Sequence, residues 1–308
     1  FFDKGPKFLR YHPQEIIMTS LEFDHADIYP DLPAIELQFQ RLVNLVPRSG
    51  RIVAWGDNDP LTATIARATQ KAFARVETYG LDGSTDWIAG DMEFAEEATH
   101  FRVAHRGAEV ARVRLPLAGK HNVLNALAAC AIAAGRDVPR AAIEEALGTF
   151  RSVRRRLQVL GEPGGVMVVD DFAHHPTAIR ATIDAARTRW AGRRIWAIFE
   201  PRSNTMRRNV LEEALGDALG RADGVLLGSV NRANLLREAE RLSPERVVSR
   251  VRRMGRTAEA MSGADEIADY LESNARAGDV ILVMSNGSFD GLCSKLLTRL
   301  GARRKTLA

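Results

Sequence analysis

The sequence of 308 residues contains only two cysteines, Cys130 and Cys293, and it has no long run of apolar residues. Each cysteine lies in an apolar helical pattern and neither belongs to a C-x-x-C pair, so both are predicted to be reduced core residues. A membrane helix needs about 20 consecutive apolar residues, which this sequence lacks. No secretory leader pattern opens the chain. These absences favour a cytoplasmic protein.

The sequence also lacks a strong excess of either charge. It has 43 Lys and Arg residues against 39 Asp and Glu residues, which gives a net charge of +4. Long nucleic acids usually require a strongly basic face, so this balance favours phosphorylated small molecules as partners over nucleic acid. No internal repeat or low-complexity segment interrupts the chain. A length of 308 residues, of which 45% are hydrophobic, is enough for two domains with separate cores.

Apolar strand patterns alternate with helical patterns along most of the chain, which predicts an α/β fold. Residues 75–117 depart from this alternation and favour a small antiparallel portion beside a parallel sheet. The glycine-rich stretch Gly161–Gly165 predicts the domain boundary, with one domain over residues 1–160 and a second over residues 161–308. The second domain is predicted to be a Rossmann-like parallel sheet.

The most informative stretch is Asp-Asp-Phe-Ala-His-His-Pro-Thr at residues 170–177, which follows the apolar run Val166–Val169. Such a run is typical of a buried parallel strand, and open α/β sheets bind ligands at the carboxyl ends of their strands. Pro176 suits the first turn of the next helix, whose N-terminus attracts anions. We therefore expect a site for a negatively charged ligand here.

Three polar loops, 170–175, 200–205 and 285–287, each follow a predicted strand of the second domain. In a parallel sheet they would gather along one edge. Polar residues crowd loops in any protein, but three such loops at one edge make a site the better interpretation. A metal cluster of Asp170, Asp171, His174 and His175 is a competing interpretation. Because neighbouring strand residues alternate faces, one of the two Asp residues is instead expected to bind a ligand hydroxyl and the other to brace the loop.

Three further groups lie earlier in the chain. His25, between Asp24 and Asp27, is either a surface residue or a ligand. Asn122 and Asn125 share one face of a predicted helix, where they could cap the helix or read the edge of a purine. The run Arg154–Arg156 is either a solvated strand or a phosphate clamp, for which arginine has a suitable fork geometry.

These residues together resemble the Mur ligase family, the ATP-dependent amide-forming enzymes of peptidoglycan assembly. The general family pattern is carried by residues 170–177, by Gly119-Lys120-His121-Asn122 with Asn125, and by Arg155-Arg156 before a strand. A branch of the family that recycles cell-wall peptide is resembled by four segments: Phe1–Lys4, Leu21–Asp27, Glu-Pro-Arg-Ser-Asn-Thr-Met at 200–206, and Val283–Gly287.

By this resemblance, the chain corresponds to the later part of a central, mixed-sheet ATPase domain followed by a C-terminal Rossmann-like domain. The resemblance implies that ATP, with Mg²⁺ or Mn²⁺, drives the joining of UDP-N-acetylmuramate to L-alanyl-γ-D-glutamyl-meso-diaminopimelate through an acyl phosphate. The family's N-terminal UDP-binding domain, its Gly-Lys-Thr phosphate loop and an acidic metal-binding segment are not found in residues 1–308. This fragment alone is therefore expected to be inactive.

The resemblance also implies roles for single residues. His25 corresponds to a metal ligand, Asn122 and Asn125 to adenine contacts, Arg156 to a phosphate contact and Asp171 to a ribose contact. In the second domain His174 is expected near the reacting carboxyl group. Arg202 and Asn204 are expected to bind carboxylates of the substrate, and Ser285 and Asn286 are further substrate-binding residues. Of these, Arg156, His174 and Arg202 are the predicted catalytic residues.

Other activities stay open at this point. Phe39-Gln40 stands where ligases of later amino acids carry a carbamylated Lys, which indicates the branch that uses UDP-N-acetylmuramate itself. Within that branch the alanine-adding ligase is the nearest alternative, although Phe172 and Thr205 favour a peptide substrate. A nucleotide-binding module without catalysis, or a metal-dependent hydrolase built on the Asp-His cluster, are further alternatives.

Overall fold

The computed structural model describes residues 5–57 and 59–306, which form two compact units that divide between Arg151 and Ser152. The Phe1–Lys4 motif lies outside the described residues. Packing places the boundary between the units earlier than the glycine-rich stretch does. Residues 152–160 belong to the second unit because strand Gln158–Gly161 pairs with that unit's sheet.

The first unit is an α/β domain built on one mixed sheet. Its strands are β1 (Glu15–Met18), β2 (Arg51–Trp55), β3 (Arg75–Gly80), β4 (Trp87–Phe94), β5 (Thr99–His105) and β6 (Ala108–Leu115), and its helices are α1 (Leu32–Leu45), α2 (Thr62–Thr69), α3 (Lys120–Ala134) and α4 (Arg140–Gly148). The strands lie in chain order, with β1 to β4 parallel and β4 to β6 antiparallel. The predicted antiparallel portion is thereby confirmed, beginning at β4.

Local sequence explains the helix that carries the asparagine pair. Helix α3 is rich in alanine, the best helix former, and its Val123, Leu127 and Ala131 are buried in a core shared with β4 and β5. Gly119, at φ 97°, provides the left-handed turn that directs the chain into the helix. Asn122 and Asn125 are thus held near the start of a helix that the sheet fixes in place.

The second unit is built on a sheet that is parallel except at one edge. Its strands are β7 (Gln158–Gly161), β8 (Met167–Asp171), β9 (Ile195–Phe199), β10 (Gly224–Leu227), β11 (Thr257–Ala260) and β12 (Val280–Met284), and its helices are α5 (Pro176–Arg189), α6 (Glu212–Leu219), α7 (Pro244–Arg253), α8 (Ala264–Asn274) and α9 (Leu292–Thr306). The strand order is β11-β10-β9-β12-β8-β7, and only β7 runs antiparallel to its neighbour. The predicted α/β, Rossmann-like architecture is confirmed.

Two details of the second unit differ from the sequence prediction. Helix α6 does not begin directly after loop 200–205 but at Glu212, because Arg208 is extended and forms a β-bridge with Arg241. Strand β11 was not predicted, since it is a short edge strand without an apolar run. Within the described part of the chain, no helix is both long and apolar enough to cross a membrane.

Candidate functional site

The carboxyl ends of β8, β9 and β12 lie side by side in the second unit. Strand β12 is the central one, and its last residue, Met284, is in register with Asp171 of β8 and with Phe199 of β9. The loops 170–175, 200–205 and 285–287 therefore begin at the same level of the sheet, as predicted. We call these three loops the strand-end rim.

Arg155 joins two parts of the strand-end rim. Its Nε donates to both carboxylate oxygens of Asp170, at 3.1 and 3.3 Å, and another guanidinium nitrogen donates to the carbonyl of Ser285. Burial raises the pKa of Asp170, and the positive charge of Arg155 opposes this rise. One arginine thus connects the end of β8 to the end of β12.

Asp171 braces the loop that follows β8. Its side chain is buried, and its oxygens accept hydrogen bonds from the backbone N–H groups of Leu157 at 2.8 Å and Ala173 at 2.7 Å. The Thr182 hydroxyl donates to the same carboxylate at 3.4 Å. Burial raises the pKa of Asp171, although these hydrogen bonds act in the opposite direction. Protein donors therefore engage both of its carboxylate oxygens.

The two histidines lie where β8 leads into α5. His175 is the N-cap residue of α5, and Pro176 occupies the first turn as predicted. The Nδ1 of His174 lies 3.1 Å from the carbonyl of Phe172, and its ring meets the Phe172 ring edge-on at 5.4 Å. Arg156 is exposed, with its guanidinium carbon 5.8 Å from the centre of the same phenyl ring. Cationic and imidazole groups thus gather around Phe172 beside a helix N-terminus.

The ends of β9 and β12 are joined through a buried carboxylate. The Ser285 hydroxyl donates to Glu200 at 2.5 Å, and a guanidinium nitrogen of Arg202 lies 3.4 Å from the other Glu200 oxygen. Asn286 carries a buried Oδ1 atom that has no hydrogen-bond partner among the residues the structure describes. Asn204, in loop 200–205, is exposed. The strand-end rim therefore offers a guanidinium donor and an unused amide acceptor.

The first unit holds the remaining predicted residues. Asn122 donates from its side-chain amide to the carbonyl of Ala118 at 2.7 Å, whereas the Asn125 side chain is exposed. His25 is exposed in a loop at φ 55°, and its carbonyl accepts hydrogen bonds from the N–H groups of Ile28 and Tyr29. In the described parts of the chain, no group of three or more His, Cys, Asp or Glu residues could hold a metal ion. That finding is against the Asp-His metal cluster of the second domain.

Comparison with known proteins assigns both units. The profile described as "Mur ligase middle domain" matches residues 7–133, and the profile described as "Mur ligase, glutamate ligase domain" matches residues 155–287. The chain belongs to the Mur ligase family. The family resemblance and the α/β fold class predicted from the sequence are thereby confirmed.

Several relatives of this Mur ligase chain are named after their substrates. UDP-N-acetylmuramate–L-alanyl-γ-D-glutamyl-meso-2,6-diaminoheptandioate ligase of Escherichia coli K12 is 41% identical over 98% of this chain and 63% of its own length. The Haemophilus influenzae protein of the same name is 38% identical over 97% and 63%. UDP-N-acetylmuramate–L-alanine ligase of Solibacter usitatus is 36% identical over 97% and 62%. The chain thus spans less than two thirds of the length of these relatives.

Solved structures agree with this Mur ligase assignment. The murein peptide ligase of Psychrobacter arcticus is 33% identical, with a TM-score of 0.67 over 98% of this chain and 60% of that protein. The UDP-N-acetylmuramate-alanine ligase of Thermotoga maritima has a TM-score of 0.74 over 96% of this chain and 61% of that protein, at 20% identity, and supports the fold alone.

Sequence reasoning overlooked two residues of the Mur ligase's second unit. Glu200 has no role of its own in the sequence prediction, yet it is buried and contacts both Arg202 and Ser285. Its signal was an acidic residue directly after the fully apolar strand β9. Arg155 has no role of its own in the sequence prediction, where it is part of the basic run and of the Arg155-Arg156 pair. Its pairing with Asp170 left no local signal, because the two residues are 15 positions apart in the sequence and meet only in the folded unit.

Proposed function

We propose that the complete protein containing this chain joins UDP-N-acetylmuramate to the tripeptide L-alanyl-γ-D-glutamyl-meso-diaminopimelate, using ATP, in the recycling of peptidoglycan. The observation that carries this proposal is the 41% identity, over 98% of the chain, to a ligase named for that tripeptide. The activity is proposed for the complete protein, because the chain covers only 63% of that relative. ATP and a UDP-sugar as substrates also favour the cytoplasm as its location.

The proposed chemistry has two steps. An oxygen of the sugar's lactyl carboxylate attacks the γ-phosphorus of ATP, so that ADP leaves and an acyl phosphate forms. The amine of the tripeptide's alanine then attacks the acyl carbon, phosphate leaves, and the nitrogen loses a proton to give the amide. Such phosphoryl transfer depends mainly on positioning and on neutralising charge. Cationic side chains are therefore the groups to look for.

In the second unit, we assign Arg156 to the phosphates and His174 to the neighbourhood of the reacting carboxyl group. These two assignments are supported by the exposed guanidinium of Arg156 and by the nearby N-terminus of α5, because both attract anions. Arg202, Asn204 and Asn286 are assigned to the peptide. Arginine matches a carboxylate in charge and geometry, and an amide can satisfy either a donor or an acceptor of the peptide backbone.

Two predicted residues of the second unit are engaged by the protein itself. The Ser285 hydroxyl is bonded to Glu200 and Gly287, so we assign it to holding the substrate-binding loop. Asp171 is 3% exposed, so a contact with the nucleotide ribose would require one of its protein donors to be exchanged for the ribose hydroxyl.

For the first unit, we assign Asn122 and Asn125 to adenine and His25 to a divalent cation. The exposed Asn125 amide and the Asn122 oxygen could face a purine edge, since the Ala118 carbonyl engages only the Asn122 amide nitrogen. His25 is exposed and could contribute one metal ligand. Mg²⁺ and Mn²⁺ both favour oxygen ligands, so phosphates and water would supply most of the coordination and the imidazole a single position. When bound, the cation would neutralise phosphate charge.

An alanine-adding ligase is the alternative, favoured by the 36% identity to the Solibacter usitatus enzyme. The deciding experiment gives the complete protein ATP, UDP-N-acetylmuramate and equal concentrations of the tripeptide and L-alanine. The products are then separated by mass. We expect the tripeptide product to dominate. A dominant alanine product would refute the tripeptide proposal, and turnover of neither would refute ligase activity.

A further inference from the structure

Four residues of the strand-end rim contact one another in a ring: Glu200, Arg202, Ser285 and Gly287. The Ser285 hydroxyl donates to Glu200 at 2.5 Å and accepts from the backbone N–H of Gly287 at 2.8 Å. The other Glu200 oxygen lies 3.4 Å from Arg202. Arg202 in turn lies against Gly287, where an added methyl carbon would be 2.6 Å from the guanidinium carbon.

The buried carboxylate of Glu200 is better explained by Arg202 than by strand joining alone. The Glu200 side chain is 6% exposed, and burying a charge is costly unless it is paired and hydrogen-bonded. A neutral glutamine could join the strand ends through Ser285 without that cost. Arg202 supplies the matching charge, and its side chain keeps 34% of its surface exposed. The carboxylate therefore serves to hold this guanidinium at the rim.

Arg202 retains donors for a ligand while it is held. Among the described residues its only hydrogen bond goes to Glu200, and a guanidinium carries five N–H donors. Asn286, directly after Ser285, adds a buried Oδ1 that has no hydrogen-bond partner among the described residues. A fixed cation with spare donors on a loop that also offers an unused acceptor suits a substrate end that carries both a carboxylate and a donor group.

Gly287 completes the arrangement for a steric reason. It is not among the glycines with positive φ, so its backbone conformation is open to other residues. What excludes a side chain is the close approach of Arg202. Any residue larger than glycine would displace the guanidinium.

We propose that Glu200 and Gly287 are positioning residues that hold Arg202 for a carboxylate of the peptide substrate. This inference rests on the proposed function and specifies part of its substrate site. A pre-positioned arginine avoids the entropy cost of ordering a long side chain when the substrate binds. Displacing it therefore weakens peptide binding while leaving ATP and the UDP-sugar unaffected.

The test uses Gly287→Ala, which removes no polar group, and Glu200→Gln, which keeps the side-chain shape but removes the charge. In the complete protein, each variant is expected to raise KM for the tripeptide about tenfold, the loss typical of one charged hydrogen bond. KM for ATP and for UDP-N-acetylmuramate stays unchanged. The matched controls are Gly263→Ala, where nothing lies near an added carbon, and Glu259→Gln, which removes a carboxylate paired with Arg252 at the surface. Both controls should leave all three KM values unchanged.

A double-mutant cycle separates positioning from a merely structural role. If Glu200 and Gly287 act through Arg202, neither substitution changes KM further once Arg202→Met is present. Two results would overturn the proposal. One is that the two substitutions raise KM for the tripeptide equally with Arg202 and with Arg202→Met, and the other is a rise in all three KM values. If the unmodified protein uses L-alanine instead of the tripeptide, the proposed function is wrong. The same cycle run with L-alanine then tests the positioning of Arg202: KM for alanine should rise only while Arg202 is present, and KM for ATP and UDP-N-acetylmuramate should stay unchanged.

Discussion

Replacing Arg155 by Met should loosen the strand-end rim, whereas replacing its neighbour Arg156 by Met should weaken ATP use and lower stability only slightly. Arg156 acts on the buried Asp171 carboxylate through its charge, without a hydrogen bond to the strand ends. Both guanidinium groups lie near Phe172, at 5.2 and 5.8 Å from the ring centre. Only Arg155 hydrogen-bonds to the strand ends, through Asp170 and the Ser285 carbonyl. Methionine keeps the aliphatic stem in both variants, so the comparison isolates the guanidinium.

The size of the Arg155 effect follows from its contacts. A hydrogen bond that involves a charged group contributes about 1.5–3 kcal/mol when it is well shielded. The Arg155 and Asp170 side chains are 27% and 17% exposed, which reduces this value through solvent screening. For the ion pair and the carbonyl contact together, we expect the free energy of unfolding of the second unit to fall by about 2 kcal/mol.

The loss should depend on pH. Burial raises the pKa of Asp170, and Arg155 limits that rise, so the pKa is higher still in Arg155→Met. A carboxyl whose folded-state pKa is raised destabilises the fold as the pH rises through that pKa, because the buried group must then ionise. The deficit of the variant is therefore smaller in acid and complete at neutral pH.

Hydrogen exchange during urea titration is the appropriate assay, because the two units can unfold separately. Amides of β8 and β12 should exchange much faster in Arg155→Met and only slightly faster in Arg156→Met, while amides of the first unit stay unchanged in both. Steady-state kinetics of the complete protein should show a raised KM for ATP in Arg156→Met. Equal destabilisation by the two substitutions, or unchanged exchange in Arg155→Met, would refute this division of roles.

Three further predictions concern residues outside the rim. Burial by itself would raise the pKa of Asp279, but hydrogen bonds from Arg194, the Arg276 N–H and the Trp196 indole lower it. Urea unfolding should therefore show that Asp279→Asn reduces the free energy of unfolding by about 2 kcal/mol at neutral pH. This deficit should disappear as the pH falls through the lowered pKa of Asp279. Asn125→Ala should raise KM for ATP without changing the melting temperature, since that side chain is exposed. Burial raises the pKa of both cysteine thiols to about 12, so iodoacetamide should label neither in the folded protein at mildly alkaline pH and both after unfolding.

The sequence predicted the central strands because they are buried on both faces. Three of them are almost wholly apolar: Ile195–Phe199, Gly224–Leu227 and Val280–Met284. The edge strand β11 was missed for the converse reason. Thr257–Ala260 contains polar residues and has one paired side, so its extended form depends on the neighbouring strand β10. Patterns within the sequence predict burial, and they carry no information about such partners.

For the site, too, the sequence predicted the location but not the contacts of single side chains. The position of the strand-end rim followed from the rule that parallel strands end at one edge, and the register of β8, β9 and β12 confirms it. The bonding of single side chains did not follow. Asp171 accepts hydrogen bonds from Leu157 and Thr182, on either side of it in the chain, and Glu200 meets Ser285 only because β9 and β12 are neighbours. These contacts depend on tertiary structure.

The most direct test of the account is a crystal structure of the complete protein with the tripeptide bound. We expect a peptide carboxylate within hydrogen-bond distance of the Arg202 guanidinium, with Glu200 still paired to that arginine. A tripeptide bound away from loops 200–205 and 285–287, with Arg202 in contact with no part of it, would contradict the account.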